Sequence, residues 1–261
     1  MNTEVFRPQK RLRKQTPEQN ARQPLSCNGA RPAKQARLSS SSVAWVADGR
    51  ADPGYLLRQP ELSVRLRSLV VDWLASVHLE LKLAPRSLHL AVNLLDRYLS
   101  SSFVGRHEVS ALALTCLALA TKYEEAVAVP LAVFAEIAPA AQILAMERQV
   151  LKAVDYALAV PCVLDYISAA EGTPEFRCLA QFLSELALTE YKLLQFNCTE
   201  VAEACLQVAA RLTGGEVAKP SSRASRDCGV DLMLLLRTAN APGIQGKFAS
   251  DEFSRVATLD C

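Results

Sequence analysis

The spacing of apolar residues between positions 66 and 99 constrains the fold of this chain more than any other feature. Its first half carries apolar residues at offsets of 3, 4, 7, 8, 11 and 15: Leu66, Leu69, Val70, Trp73, Leu74, Val77 and Leu81. These offsets follow one face of an α-helix. Ala84-Pro85 ends the pattern, because proline cannot continue the helical hydrogen-bond ladder and restricts the residue before it. A second stripe of this kind runs on to Leu99, so we predict two antiparallel helices.

Two charged residues, Arg67 and Asp96, lie on or beside these apolar stripes. A charge in an apolar environment is costly unless an opposite charge or hydrogen bonds compensate it. We therefore predict a buried ion pair that joins the two helices.

The length and composition favour a helical protein. At 261 residues the chain can hold one large domain or two of roughly 100–120 residues. Half of the residues are hydrophobic and only 6% are aromatic, a balance typical of helices rather than of a β-sandwich or barrel. Three more helical segments follow the opening pair, at 107–123, 131–137 and 141–154. The first of these is apolar nearly all round, so we predict that it is the buried central helix.

A second helical series follows Pro161, with segments at 163–169, 175–189 and 199–212 and a weaker one at 231–239. Residues 183–194, followed by the alanine-rich stretch 201–212, resemble the second and third helices of the first half. We interpret this as a divergent internal repeat. Between 214 and 229 the sequence is polar, and we predict a mobile loop there.

The N-terminal segment, residues 1–42, differs in character from the rest. It holds nine Lys/Arg against two Glu, a net charge of +7, so the formal net charge of +2 leaves −5 for the remainder. Such a polar segment is expected to be disordered. Its cluster at positions 10–14, KRLRK, is either a basic signal of the kind importins bind or a solvated stretch. An RxxL match at 22–25 is a pattern that often arises by chance.

The sequence carries no recognisable catalytic or metal-binding motif. None of the eight cysteines forms a CxxC pair, and the three histidines lack ligand spacing. Walker, GxGxxG and GxSxG motifs are also missing. The mildly acidic body argues against a nucleic-acid surface, and the most apolar run, 111–120, is about half of a membrane span. We expect a soluble intracellular binding or regulatory protein with reduced thiols and no cofactor.

Two further charges, Lys122 and Glu147, stand on otherwise apolar helix faces. One interpretation is a structural ion pair or a lysine whose stem covers apolar surface. The other is that both charges lie at the rim of a groove that binds a partner. The residue pattern leaves both open.

Four segments, in order, resemble the cyclin box of mitotic A- and B-type cyclins. They are LRSLVVDWL (66–74), LAVNLLDRYLS (90–100), LALATKYEE (117–125) and QILAMERQVLKAVDYAL (142–158). The resemblance extends to the segment before the box, at 55–62, and to KFAS at 247–250, which is similar to the end of the second cyclin fold. It implies two tandem five-helix cyclin-fold domains at 43–158 and 159–261. The second would be divergent and short, and the disordered basic tail at 1–42 would precede both.

The resemblance also implies roles for particular residues. Kinase contacts are implied for Lys122, Glu147, Tyr123, Glu124 and Tyr156, the last standing where phenylalanine is usual. Docking of RxL-type substrate or inhibitor peptides on an exposed patch is implied for Leu66, Leu69, Val70, Trp73 and Val109. Arg67 and Asp96 match the internal ion pair of the family. Ser76 and Ser110 depart from the pattern of the docking patch.

The function implied is that of a non-enzymatic subunit. It would bind and activate a cyclin-dependent serine/threonine kinase in mitosis, in the nucleus and cytoplasm, without direct binding to nucleic acid or membrane. Docking would hold the kinase C-helix inward, and ATP and Mg²⁺ would belong to the kinase. Two rivals stay open: a degenerate cyclin-fold scaffold that activates no kinase, and a transcription-factor-like protein, which would be expected to have a basic folded body.

Overall fold

The computed structural model describes residues 49–216, 219–250 and 253–258, and these residues form ten α-helices and no strand. The first five helices are α1 (Val64–Glu80), α2 (Pro85–Ser101), α3 (Val109–Glu124), α4 (Leu131–Ala135) and α5 (Ala140–Ala153). The second five are α6 (Val163–Ser168), α7 (Pro174–Thr189), α8 (Cys198–Leu212), α9 (Arg223–Thr238) and α10 (Pro242–Phe248). Short 3₁₀ helices lie at Tyr55–Arg58, Tyr191–Gln195 and Val256–Thr258. The all-α prediction, with two sets of five helices, is confirmed.

The opening pair forms where the apolar stripes predicted it. Ser63 caps α1, because its hydroxyl accepts a hydrogen bond from the amide of Leu66 at 3.1 Å. Pro85 occupies the first turn of α2, where a missing amide costs no hydrogen bond. The carboxylate of Glu125 completes this helix start by accepting from the Ala84 amide at 2.8 Å and the Ser87 hydroxyl at 2.6 Å.

α3 is the central helix of the first set, as its composition predicted. Residues 111 to 121 are all buried, so the helix has almost no solvent face. It packs against α1, α2, α4 and α5. The other helices of the set therefore surround α3, and the polar residues at the C-terminal end of α3 lie at the surface.

The prediction for the second set was wrong in one region. α9 begins at Arg223, so residues 223–229 belong to a helix and not to a polar loop. Ser222 caps this helix by accepting from the Ser225 amide at 3.0 Å, and Ser225 and Cys228 are buried. Small polar side chains on the buried face hid the helical period. Helix α10 was not predicted at all.

The two sets share an extensive contact. α1 packs against α7 and α10, and α2 packs against α6 and α7. The carboxylate of Asp72 on α1 accepts hydrogen bonds from the amides of Gly243 and Ile244 at the start of α10, at 3.1 and 3.0 Å. Lys247 and Glu185 form a fully buried ion pair beside this contact, with oxygens 2.6 and 2.8 Å from the ammonium.

Several expectations fall outside the described residues. The basic tail at 1–42, with its KRLRK cluster and its RxxL match, precedes the first described residue, Gly49. Among the residues that the structure does describe, six cysteines are present as free thiols, and Cys116, Cys205 and Cys228 are buried in the core.

Candidate functional site

Lys122 and Glu147 meet at the surface where the end of α3 lies against α5. The Lys122 Nζ is 2.7 and 2.8 Å from the two carboxylate oxygens of Glu147. The Lys122 side chain is 45% exposed and that of Glu147 is 18% exposed. The buried stretch of α3 ends just before Lys122, and α5 places Glu147 on the same face as its buried residues Ile143 and Val150, four positions after the first and three before the second. The two charges are paired, yet solvent reaches both.

Exposed apolar and aromatic side chains lie on the same elements. Tyr123 follows Lys122 in the last turn of α3, and Leu144 precedes Glu147 by one helical turn on α5. Tyr156 follows the end of α5 and is 63% exposed. Large apolar groups at a solvent-facing surface are typical of contacts with another macromolecule.

Tyr156 lies in an unusual turn directly after α5. Both Asp155 and Tyr156 have positive φ, at 52° and 57°, a left-handed conformation that side chains other than glycine and asparagine rarely adopt. The turn places the tyrosine ring outside the core while Val154, two residues earlier, is fully buried. The backbone, rather than a helix face, thus determines where this ring points.

Glu124 makes a different contact from its neighbour Lys122. Its carboxylate accepts from the Arg86 Nε at 3.0 Å, and the same guanidinium pairs with Asp165 on α6. The hydrogen bond that Arg86 donates to Glu124 raises the pKa of Arg86. Glu124 therefore connects the end of α3 to the second helical set and does not join the Lys122–Glu147 pair.

The predicted ion pair between Arg67 and Asp96 is present in the interior. The guanidinium binds the two carboxylate oxygens at 2.8 and 2.6 Å, and both side chains are only 2% exposed. Asp96 also accepts from the Tyr55 hydroxyl at 2.7 Å. Burial and the Asp96 charge together raise the pKa of Tyr55 well above its ordinary value. Arg67 further donates to the Leu188 carbonyl at 2.9 Å, so this cluster binds both helical sets.

Two family models match this chain, and together they account for most of it. Residues 46–159 match the cyclin N-terminal domain, and residues 160–261 match the cyclin C-terminal domain. This chain is a member of the cyclin family.

Similar proteins include mitotic cyclins. The G2/mitotic-specific cyclin-B of Dictyostelium discoideum is 30% identical over 172 residues, which are 63% of this chain and 39% of that protein. Cyclin-A1-1 of Arabidopsis thaliana is 29% identical over 245 residues, which are 84% of this chain and 53% of that protein. This cyclin thus spans roughly half or less of the length of these curated relatives.

Solved structures share the fold at low identity. A viral cyclin from herpesvirus saimiri has a TM-score of 0.57 and 15% identity, with 79% of this chain and 92% of that chain covered. A chain of the yeast RNA Pol II CTD kinase CTDK-1 complex has a TM-score of 0.60 and 14% identity, with 77% and 73% covered. At these identities the likeness establishes the cyclin fold.

The patch implied for peptide docking is mostly internal in this cyclin. Leu66, Val70 and Val109 are buried at 8%, 0% and 3% exposure, and they line a narrow crevice beside Leu62 and Leu99. Leu69 is 44% exposed, and Trp73 is partly buried against the core. The expectation of an exposed five-residue patch is therefore corrected to two accessible side chains, because the other three fill the space between α1 and the start of α3.

Sequence reasoning missed three residues that shape this cyclin. Asp72 and Glu125 cap helices that are distant in sequence, and Arg97 is fully buried yet forms no ion pair within the described residues. A charge adjacent to an apolar stripe was the available signal for Arg97, as it was for Asp96. Nothing in local sequence identifies the partners of Asp72 or Glu125.

The described part of this cyclin contains no cluster of three or more potential metal ligands. Within the same ranges, none of the helices has the length and apolar character needed to cross a bilayer.

Proposed function

We propose that this cyclin is a regulatory subunit that binds and activates a cyclin-dependent serine/threonine kinase during mitosis. The observation that carries the proposal is the exposed Lys122–Glu147 pair, which occupies the two positions where the cyclin resemblance implies kinase contacts. The mitotic part draws support from a relative that is named as G2/mitotic-specific. The chain's own role would be to bind and orient, with the phosphoryl-transfer chemistry left to the kinase.

The pair is suited to bind backbone groups of a partner. A lysine ammonium has three N–H donors and a carboxylate about four acceptor sites, so the mutual contact leaves both residues able to form further hydrogen bonds. A kinase segment could thus donate to Glu147 and accept from Lys122 without separating them. Exclusion of water by the partner would strengthen each of these charge-assisted hydrogen bonds.

The tyrosines would supply the apolar part of the interface. Tyr123 and Tyr156 are exposed at 48% and 63%, and tyrosine combines a large apolar ring with a hydroxyl that can reach solvent or a polar partner. Aromatic residues of this kind commonly dominate binding free energy. We propose that they bind the kinase on either side of the charged pair.

The test uses Lys122→Ala and Glu147→Ala, each measured for melting temperature and for affinity to a purified mitotic cyclin-dependent kinase. Removing one partner of a charged contact that the kinase desolvates should cost about 2–5 kcal/mol, or roughly 30-fold or more in affinity. Melting should change little, because exposed ion pairs contribute about 0–1 kcal/mol.

The second helical set offers a matched control. Lys192 and Asp231 form an ion pair of 2.6 Å with similar exposure, 61% and 17%. Lys192→Ala should leave kinase affinity nearly unchanged. Lowered melting of the Lys122 and Glu147 variants, with affinity retained in the folded fraction, would show that the pair is only structural. Binding without stimulation of phosphoryl transfer would instead indicate a scaffold.

A further inference from the structure

Arg97 is the largest side chain that is fully buried in the described residues, and its contacts are unusual for an arginine. Its Nη1 donates to the Ala157 carbonyl at 2.8 Å and its Nη2 donates to the Val154 carbonyl at 3.1 Å. No carboxylate lies within ion-pair distance of it in the described ranges, and its Nε has no hydrogen-bond partner there. Burial lowers the pKa of Arg97. A buried cation that is compensated only by carbonyl groups calls for a specific role.

The two carbonyls that Arg97 binds stand on either side of the left-handed turn. Asp155 and Tyr156, both at positive φ, lie between Val154 and Ala157. The turn has backbone bonds of its own: the Tyr156 amide donates to the Leu151 carbonyl at 2.8 Å, and the Ala157 amide donates to the Val154 carbonyl at 3.0 Å. Such conformations are strained and persist only where surrounding structure imposes them. The planar fork of the guanidinium supplies that constraint from inside the core.

We propose that Arg97 is a positioning residue for Tyr156: it holds the turn in its left-handed form and so presets the tyrosine ring for the partner surface. Only the part of this inference that gives the Tyr156 ring a kinase partner rests on the proposed function. Preorganisation of this kind raises affinity because the ordering cost is met before binding. Arg97 itself, being buried, contacts no partner.

A double-mutant cycle on kinase affinity tests the proposal in the full chain. Arg97→Lys keeps the charge, but a single ammonium cannot bind two carbonyls in the same planar geometry. We expect a loss of about 3- to 10-fold in affinity for the purified mitotic kinase. In the Tyr156→Ala background, the same substitution should cause less than about a 1.5-fold loss, because the ring it positions is gone. An equal loss in both backgrounds would overturn the proposal.

A second measurement needs no kinase. Chymotrypsin cleaves after exposed tyrosines, and both Tyr156 and Tyr123 are exposed. In Arg97→Lys, cleavage after Tyr156 should accelerate at least about 5-fold relative to cleavage after Tyr123, well below the melting temperature. Tyr98→Phe is the matched control, since it removes a different side-chain hydrogen bond of α2, to Gln149 on α5 at 2.9 Å, away from the turn. Equal acceleration in Tyr98→Phe would overturn the specific role of Arg97.

A variant on the solvent side guards against failure of Arg97→Lys to fold. Asp155 is exposed, and Asp155→Val disfavours the left-handed backbone of the turn without touching the core, because a β-branched residue rarely adopts positive φ. We expect about a 2- to 5-fold loss of kinase affinity that disappears in the Tyr156→Ala background. No change in affinity would contradict the proposal. If the wild-type protein binds no kinase, the proposed function fails, and the chymotrypsin measurement alone then decides the role of Arg97.

Discussion

Asp72 accepts a hydrogen bond from the backbone amide of Gly243, which lies 171 residues further along the chain. A Cβ atom on Gly243 would stand 2.6 Å from the Asp72 carbonyl oxygen, closer than real Cβ contacts allow. The absence of a side chain at 243 is therefore what lets α10 approach α1. The two helical sets are joined by backbone proximity as well as by side chains.

Gly243→Ala should destabilise the protein by about 1–3 kcal/mol, because the added methyl group must push α10 away from α1. Gly246→Ala in the same helix is the control, since a Cβ there meets nothing within 4 Å. Alanine at 246 should be neutral or stabilising by up to about 1 kcal/mol. Urea denaturation of both variants measures the difference, and equal effects would contradict this account.

Arg67→Met should cost about 3–5 kcal/mol, because it leaves the Asp96 carboxylate buried without its cation. Arg58→Met offers the comparison, since Arg58 forms an ion pair with Asp52 at 2.7 Å but its side chain is 41% exposed. That substitution should cost less than about 1 kcal/mol. A similar loss in the two variants, measured by chemical denaturation at pH 7, would show that burial of the Arg67–Asp96 pair adds nothing.

Stability should fall as the pH drops below about 6.5. Burial, aided by the charges of Lys247, His78 and Arg86, lowers the pKa of His89 to about 3, and burial also lowers that of His78. Both histidines gain protons in the unfolded chain before the folded one. Each therefore contributes stability that is present above the unfolded pKa and is lost on acidification. For His89, the loss approaches about 1.4 kcal/mol per pH unit between the unfolded pKa of about 6.5 and the folded value of about 3.

The measurement for this prediction is the free energy of unfolding between pH 7 and pH 5. His89→Gln should reduce the slope with pH even if it lowers stability overall. His107→Gln changes an exposed histidine and should leave the slope unchanged. A wild-type slope near zero across this range would contradict the prediction.

Peptide docking, if this cyclin performs it, should depend on Leu69 more cleanly than on Trp73. Leu69 is 44% exposed, so Leu69→Ala should weaken binding of an RxL peptide with less than about 0.5 kcal/mol lost in stability. Trp73 packs partly against the core, so Trp73→Ala should lower both stability and binding. Peptide titration beside calorimetry separates the two effects. Unchanged peptide affinity in Leu69→Ala would argue against docking at this surface.

Helical periodicity predicted the elements whose buried faces carry long apolar side chains at regular helical spacing. α1, α2 and α3 are of this kind, and the predicted ranges overlap the observed helices closely. α9 was placed eight residues late, because Ser225 and Cys228 fill its buried face where longer apolar side chains were sought. α10 has seven residues, two of them glycine and one proline, and its position depends on α1 rather than on its own propensity.

The residues of the candidate site were also predictable only in part. Lys122 and Glu147 were identifiable as charges on apolar faces, and the Arg67–Asp96 pair followed from the cost of a buried charge. The sequence did not identify the hydrogen bond from Arg86 to Glu124, nor the hydrogen bonds from Arg97 to the turn before Ala157. These hydrogen bonds join residues that are 38 and 60 positions apart in the chain, so they depend on tertiary packing.

The bond from Arg67 to the Leu188 carbonyl also has a consequence for synthesis on the ribosome. Asp96 emerges long before Leu188, so the guanidinium can meet its carboxylate while its other acceptor does not yet exist. At about 5–20 residues per second, the 92 positions between Asp96 and Leu188 take roughly 5–20 s to translate. During that interval, Arg67 in the nascent first half is exposed to water and lacks the Leu188 carbonyl, whereas in the finished protein its side chain is buried. The rate of translation therefore sets how long chaperones can reach this surface, on which the second helical set later packs.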